Sequence, residues 1–286
     1  MNNKVIYFWM SCAMITWAVA WTNAKIVNEY LSFYNLTFFR FLLGSFCLLP
    51  FIKKYKYKDI VSSNALSYLI SASILFFIYN IAFFMGTHFG LSGKGAVFVT
   101  TVNPIITVII MTIINKKIKT GEILGICLGV IGGLSILGVF TEGFIIIKSS
   151  HNIYFLICAI TWGLMTVVAN YGQKKMDPLL FIFCCYLITS IIALPFTDFS
   201  AINFKLLDFR FYFNFFMVSI GAMAFGTSIY LYCTPILGPV KVSVFIFSVP
   251  FLALLTANIF LSELITTEVI IGGILSLFAI YTVNRK

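Results

Sequence analysis

The sequence predicts an all-α integral membrane protein of ten transmembrane helices, built as two inverted five-helix repeats. Three observations carry that expectation. Of 286 residues, 61% are apolar and 10% charged, whereas an ordinary soluble domain carries about 25% charged residues. The apolar residues come in runs long enough for a helix to cross a bilayer, such as Ile105 to Ile114, without the alternation that a membrane barrel needs. Short sequence landmarks also recur at an almost constant offset. Mean hydropathy is +1.04, which excludes a soluble enzyme, a disordered regulator and a coiled coil, because so few charges could not cover that much apolar surface.

The expected spans are 5–26, 33–52, 66–87, 95–114, 121–140, 151–171, 178–196, 211–234, 240–260 and 267–284. The first begins after Lys4 and runs past Trp17 to about Ile26, so it reads as a retained span and not a signal peptide. The second carries Arg40 within it. The third places Ser73, Asn80 and Thr87 on one face at spacings of seven. The fourth groups Thr100, Asn103 and Thr107 beside Pro104. The fifth carries Gly121, Gly125, Gly129 and Gly133 at spacings of four, a face that lets another helix approach closely, within the chain or in a homodimer. The sixth aligns Trp162, Thr166 and Asn170. The seventh holds Cys184 and Cys185 on different faces. The eighth carries Ser219, Gly226, Tyr230 and Cys233, the ninth Pro250, and the tenth closes the chain.

The net charge of +10 would suggest a nucleic-acid partner in a soluble protein. Here the basic residues sit at the ends of apolar runs and report topology instead. With the N-terminus inside, cytoplasmic segments hold 13 lysines and arginines and external ones hold 5, namely Lys25, Lys94, Lys148, Lys205 and Arg210. This predicts both termini in the cytoplasm and placement in the plasma or inner membrane.

The repeat is read from three landmarks. Ile15-Thr16-Trp17-Ala18 returns as Ile160-Thr161-Trp162-Gly163, and Leu49-Pro50-Phe51 as Leu194-Pro195-Phe196, both at an offset of 145. Pro104 matches Pro250 at an offset of 146. The halves are therefore 1–145 and 146–286. Five spans is an odd number, so the second half enters the membrane upside down, and two nearly equivalent halves around one site give alternating access.

These residues resemble the EamA-type members of the drug/metabolite transporter superfamily. The resemblance rests on Trp17-Ala18 and Trp162-Gly163, Arg40-Phe41, Asn103-Pro104 and Val249-Pro250, the glycine-rich fifth span from Gly121, and Leu261-Ser262-Glu263. Lys117 stands where the first half would carry the counterpart of Glu263, a departure read as topological. The resemblance implies secondary transport of small metabolites, often amino-acid export. It also implies a cavity walled by spans one to four and six to nine.

The candidate cavity residues are Trp17, Arg40, Tyr79, Asn80, Thr100, Asn103, Trp162, Thr166, Asn170 and Tyr230. Polar side chains in hydrocarbon must find a partner or line water, so each stripe reads either as glue between helices or as cavity wall. Arg40 reads either as a ligand for a substrate carboxylate or as a side chain snorkelling outward. Trp21 reads as packing. Pro104 and Pro250 interrupt the hydrogen-bond ladder of their helices and mark gates or fixed kinks. The seven cysteines have no metal-ligand spacing, and no phosphate-binding loop ending in Gly-Lys-Ser/Thr occurs. No cofactor, metal or catalytic residue is expected. The expected partners are a small-molecule substrate and the lipid bilayer. All nine acids fall in loops or at span ends, and the first span carries none, which disfavours proton-coupled drug efflux through a buried carboxylate. The alternatives are uptake of a nucleoside-like or sulfonium metabolite, drug efflux by another mechanism, and, much weaker, a membrane enzyme.

Reporter tags on the two termini are expected to report the same, cytoplasmic, side. Opposite sides would contradict an even number of crossings.

Overall fold

The computed structural model describes residues 3–53, 55, 64–117, 119–136, 138–143, 152–261 and 266–284. Lys54, Lys56, Lys58, Lys148, Glu263, Arg285 and Lys286, on which part of the sequence reading rests, lie outside the described residues. The described elements are all helical: α1 (Asn3–Val27), α2 (Phe33–Ile52), α3 (Leu66–Phe89), α4 (Ser92–Asn115), α5 (Thr120–Ile136), α6 (Asn152–Gly172), α7 (Pro178–Ala193), α8 (Phe209–Leu237), α9 (Pro239–Leu261) and α10 (Thr267–Asn284). Eight of these are long and apolar enough to cross a bilayer, and α5 and α10 contain shorter apolar helices, Thr120–Ile136 and Ile270–Val283. Phe8, Phe46, Phe51, Ile113, Phe213 and Ile259 are all exposed, as lipid-facing side chains of a multi-pass membrane protein should be.

Local chemistry fixes the helix ends. Ser32 accepts from Asn35 N–H at 3.2 Å to cap α2, and Asp177 accepts from Leu179 N–H at 2.9 Å to cap α7, with Pro178 in the first turn. Asp208 caps α8 by accepting from Phe211 N–H at 2.9 Å. Gly238, at φ +89°, makes the whole turn between α8 and α9, a backbone conformation that side chains with a Cβ resist. The fifth span, expected over 121–140, is shorter. It ends at Ile136, before Gly138 at φ +74°, and a separate helical turn follows at Val139–Glu142.

Two helices are irregular. The segment Met217–Thr227 of α8 is π-helical, flanked by α-helical Phe209–Phe216 and Ser228–Leu237. α9 breaks into a 3-10 turn, Ile246–Ser248, immediately before Val249-Pro250. α4 continues unbroken through Pro104. The two prolines thus differ in effect, although their sequence positions correspond.

The packing pattern is unchanged when α1–α5 are exchanged in order with α6–α10. α1 lies against α8 and α9, and α6 against α3 and α4; α2 pairs with α7, α5 with α10, and α4 with α9. The glycine ladder serves the α5 contacts inside the chain. A Cβ at Gly125 would meet Val283 of α10, one at Gly129 the Phe247 ring, and one at Gly133 the Thr101 side chain. Ser135 Oγ donates to Glu268 O at 3.1 Å across the same contact. One end of the molecule is tied by Asn35, whose side chain donates to Asp198 O at 2.9 Å and accepts from Asp198 N–H at 3.1 Å. The Ser200 hydroxyl, with the Ala201 and Ser200 N–H groups, holds the Asp198 carboxyl below the usual carboxylate range.

Gly133→Leu should lower the melting temperature in detergent by several degrees, since overpacking a close contact costs about 1–3 kcal/mol. Gly121→Ala meets only Thr282 O at 3.4 Å and should leave the melting temperature within about 2 °C. Equal effects would dissociate the ladder from packing.

Candidate functional site

The cavity is lined by residues of α1–α4 together with residues of α6, α8 and α9. Trp17 on α1 and Trp162 on α6, the two residues related by the 145-residue offset, touch edge to face with ring centroids 4.9 Å apart at 89°. Tyr230 lies behind them, 5.0 Å from Trp17 and 5.7 Å from Trp162, and Tyr79 lies 4.8 Å from Trp162. Such contacts are worth about 0.5–1.5 kcal/mol each beyond their burial, so the aromatic group forms a firm wall.

Around this wall lies a cavity lined by Trp17, Trp21, Arg40, Tyr79, Asn80, Thr100, Asn103 and Trp162, with Phe76, Phe83, Thr227 and Val249 among its apolar and backbone neighbours. Water-sized occupants can centre in about 40 Å³ of it, room for about three waters. The helices contributing these residues are α1, α2, α3, α4, α6, α8 and α9.

Several of the polar lining residues are held by their own helix or by a neighbour. Arg40 Nη1 donates to Asn80 Oδ1 at 2.7 Å, and Asn80 Nδ2 donates to Phe76 O at 2.9 Å. The Arg40 guanidinium lies 5.4 Å from the Phe83 ring centroid and 5.8 Å from that of Phe84. It is buried at 6% exposure, so it packs inward and does not snorkel. Trp17 Nε1 donates to Ala222 O at 2.9 Å, inside the π-helical segment, and Thr227 Oγ1 donates to the same carbonyl at 3.1 Å. Thr100 Oγ1 donates to Ala96 O. Three buried polar atoms at the cavity have no partner: Arg40 Nε, Trp162 Nε1 and Asn103 Oδ1. An unmet buried polar group costs about 1–3 kcal/mol, so a ligand or water that meets these atoms is favoured.

Of the ten expected cavity residues, seven line this space. Thr166 and Tyr230 stand behind it, and Asn170 is buried outside its lining. Thr166 Oγ1 bonds the Tyr230 hydroxyl at 3.0 Å and donates to Trp162 O at 2.9 Å, while Tyr230 and Asn170 are buried. The polar stripes divide along their length. On α3, Ser73 and Thr87 join helices through Cys185 O at 3.3 Å and Asn28 Nδ2 at 2.9 Å, and Asn80 between them faces the cavity. On α4, Thr107 donates to Asn103 O at 3.1 Å and is fully packed. Trp21 borders the cavity while packing on Phe83 at 4.9 Å, so its expected packing role holds alongside a place in the wall. Sequence reading passed over Phe76, Phe83, Ala222, Thr227, Ile246 and Val249. With 32 phenylalanines in the chain no single one stands out, and the Ala222 contribution is a carbonyl exposed by π geometry. Pro250 follows Ile246 and Val249 of the lining and the 3-10 break, whereas Pro104 follows Asn103 in a continuous helix.

With this geometry in place, the similarities to known proteins can be read. The EamA-like transporter family profile matches twice, over residues 4–138 and 149–285. The chain belongs to that family, within the drug/metabolite transporter superfamily. It is similar to the S-adenosylmethionine uptake transporter of Rickettsia prowazekii (strain Madrid E), at 22% identity over 191 residues, 65% of this chain and 62% of the relative. The matched region thus spans under two thirds of that curated relative. A solved crystal structure shares the fold at a TM-score of 0.76 and 13% identity, covering 99% of this chain and 97% of that one.

Asn80→Ala should lower thermal stability by about 1–3 kcal/mol, because it strands the guanidinium of Arg40 in a buried place. Asn80→Asp, which keeps an acceptor and adds an opposite charge, should recover most of the loss in melts of the purified protein.

Proposed function

We propose that the protein carries small zwitterionic metabolites across the cytoplasmic membrane by alternating access, with amino-acid export as the first reading. The observation that carries this is the cavity lined by polar and aromatic groups and walled by the offset-related pair Trp17 and Trp162. A buried space with unmet donors and an unmet acceptor, in a chain whose outer surface is apolar, suits a polar passenger that must be shielded from lipid.

In this reading the chain crosses the bilayer ten times with both termini inside, and the halves 1–145 and 146–286 are inverted copies. The double match of the family profile and the exchange-symmetric packing support it. Trp17, Arg40, Tyr79, Asn80, Thr100, Asn103 and Trp162 contact the substrate. Thr166 and Tyr230 hold that wall in place. The segments around Pro104 and Pro250 act as gates, and the α9 break gives the second gate the softer backbone. A cavity with room for about three waters must widen on one side to admit a metabolite, which is the work of those gates.

A second reading is uptake of a sulfonium metabolite of the S-adenosylmethionine type. The aromatic wall favours it, since tryptophan and tyrosine faces attract cations and stack on planar rings. The name of the Rickettsia relative points the same way.

The test is flux into proteoliposomes, with radiolabelled L-amino acids and S-adenosylmethionine offered separately. Saturable, competable flux of an amino acid supports the first reading. Saturable flux of S-adenosylmethionine alone selects the second, and flux of neither abandons both. Trp162→Ala should cut any such flux at least 10-fold.

A further inference from the structure

Among the described residues, Arg40 is the one charged residue lining the cavity. Its neighbours leave that charge without a counterion. The polar group it meets is the Asn80 amide, which accepts one hydrogen bond at 2.7 Å and carries no charge. The Phe83 and Phe84 rings flank the guanidinium at 5.4 and 5.8 Å, and Nε has no acceptor. Among the described residues one ion pair is formed, Arg210 with Glu29 at 3.2 Å, and it is exposed, joining the first turn of α8 to the turn that follows α1. No described acid therefore neutralises Arg40.

A buried cation is tolerated when something pairs with it, and charges taken from water cost several kcal/mol otherwise. A guanidinium presents a planar fork of donors that fits a carboxylate with two parallel hydrogen bonds. Had the chain placed an acid at position 80, it would have quenched the charge permanently. An amide instead orients the fork, through its own bond to Phe76 O at 2.9 Å, and leaves the charge free for a passenger. The cavity also contains the opposite half of a zwitterion receptor. Asn103 Oδ1 is a buried acceptor without a donor, and the faces of Trp17, Trp162 and Tyr79 lie in the same lining, both suited to an ammonium or other cation.

The recognition is one-sided. At the 145-residue offset, Arg40 corresponds to Cys185 and Asn80 to Phe225. A scaffold whose packing is exchange-symmetric thus carries a single anion receptor.

We propose that Arg40, positioned by Asn80, is the substrate-carboxylate receptor, so that the passengers are carboxylates with a cationic group and the acid function decides acceptance. This rests on the carrier reading above. It makes a claim that reading does not need: the preference for a free acid over the same molecule without it should reside in Arg40.

The experiment compares wild type, Arg40→Gln and Arg40→Lys in proteoliposomes. The probes are L-methionine against its methyl ester, and S-adenosylmethionine against its decarboxylated form, each as a competitor of the labelled acid that the wild type carries. In wild type the free acid should compete on the order of 10- to 100-fold better than its partner, the range for charge-assisted hydrogen bonds. In Arg40→Gln that ratio should fall below about 3-fold, with the melting temperature confirming a folded protein, and Arg40→Lys should retain part of it. Should Arg40→Gln fail to fold, Arg40→Lys serves alone, with a ratio cut at least 3-fold as the expected result. An unchanged ratio in a folded variant, or a wild type indifferent to the carboxylate, overturns the receptor assignment while leaving the carrier standing. A wild type that transports neither acid sinks the carrier reading and this assignment together.

Discussion

A bilayer offers no hydrogen-bond partners, and that constraint organises everything in this molecule. Each backbone polar group must be met inside its helix, and each polar side chain must turn inward to a neighbour or to enclosed space. Ser73, Thr87, Thr107 and Thr166 satisfy themselves on carbonyls or on facing helices. Arg40, Asn103 and Trp162 keep atoms unmet, and these three share one cavity. These three are placed where a passenger could meet them, while other unmet atoms, at Asn23, Thr101, Gln173 and Ser219, lie away from the cavity.

Packing symmetry and chemical asymmetry coexist in this fold. The helix contacts look the same from either half, with Trp17 and Trp162 meeting at the centre. Yet Trp17 Nε1 is satisfied by Ala222 O while Trp162 Nε1 has no partner. The asymmetry has a backbone origin. The π-helical turn of α8 turns a carbonyl toward Trp17, and the 3-10 break in α9 interrupts a helix whose counterpart α4 runs straight through its proline. π-helical turns tend to mark functional places in helices, and this one sits against the cavity.

The glycine-rich fifth helix illustrates how a pattern can be read correctly in kind and left open in partner. Spacing alone announces a face for close approach. Only the folded chain spends that face on α10, Phe247 and Thr101, within one copy. The fifth span likewise stops at Ile136, because Gly138 adopts a left-handed conformation that the apolar run did not reveal.

What the sequence determined by itself was the material and the plan. Apolar runs with charges at their ends demand membrane helices, and the returning Trp, Pro and Leu-Pro-Phe landmarks are the ground for expecting related halves, since both properties are linear in the chain. The residues Trp17, Arg40, Asn80, Asn103 and Trp162 were legible because polar or indole groups within apolar runs are conspicuous. The tertiary structure decided which of the polar stripe faces a cavity and which joins helices, because a helix face is common to both uses and only the neighbouring helix separates them. It also decided that Thr166 and Tyr230 bond each other behind the wall, that Ala222 serves through its carbonyl, and that Arg40 faces an amide. Those are distances between segments far apart in the chain, and no local pattern encodes them.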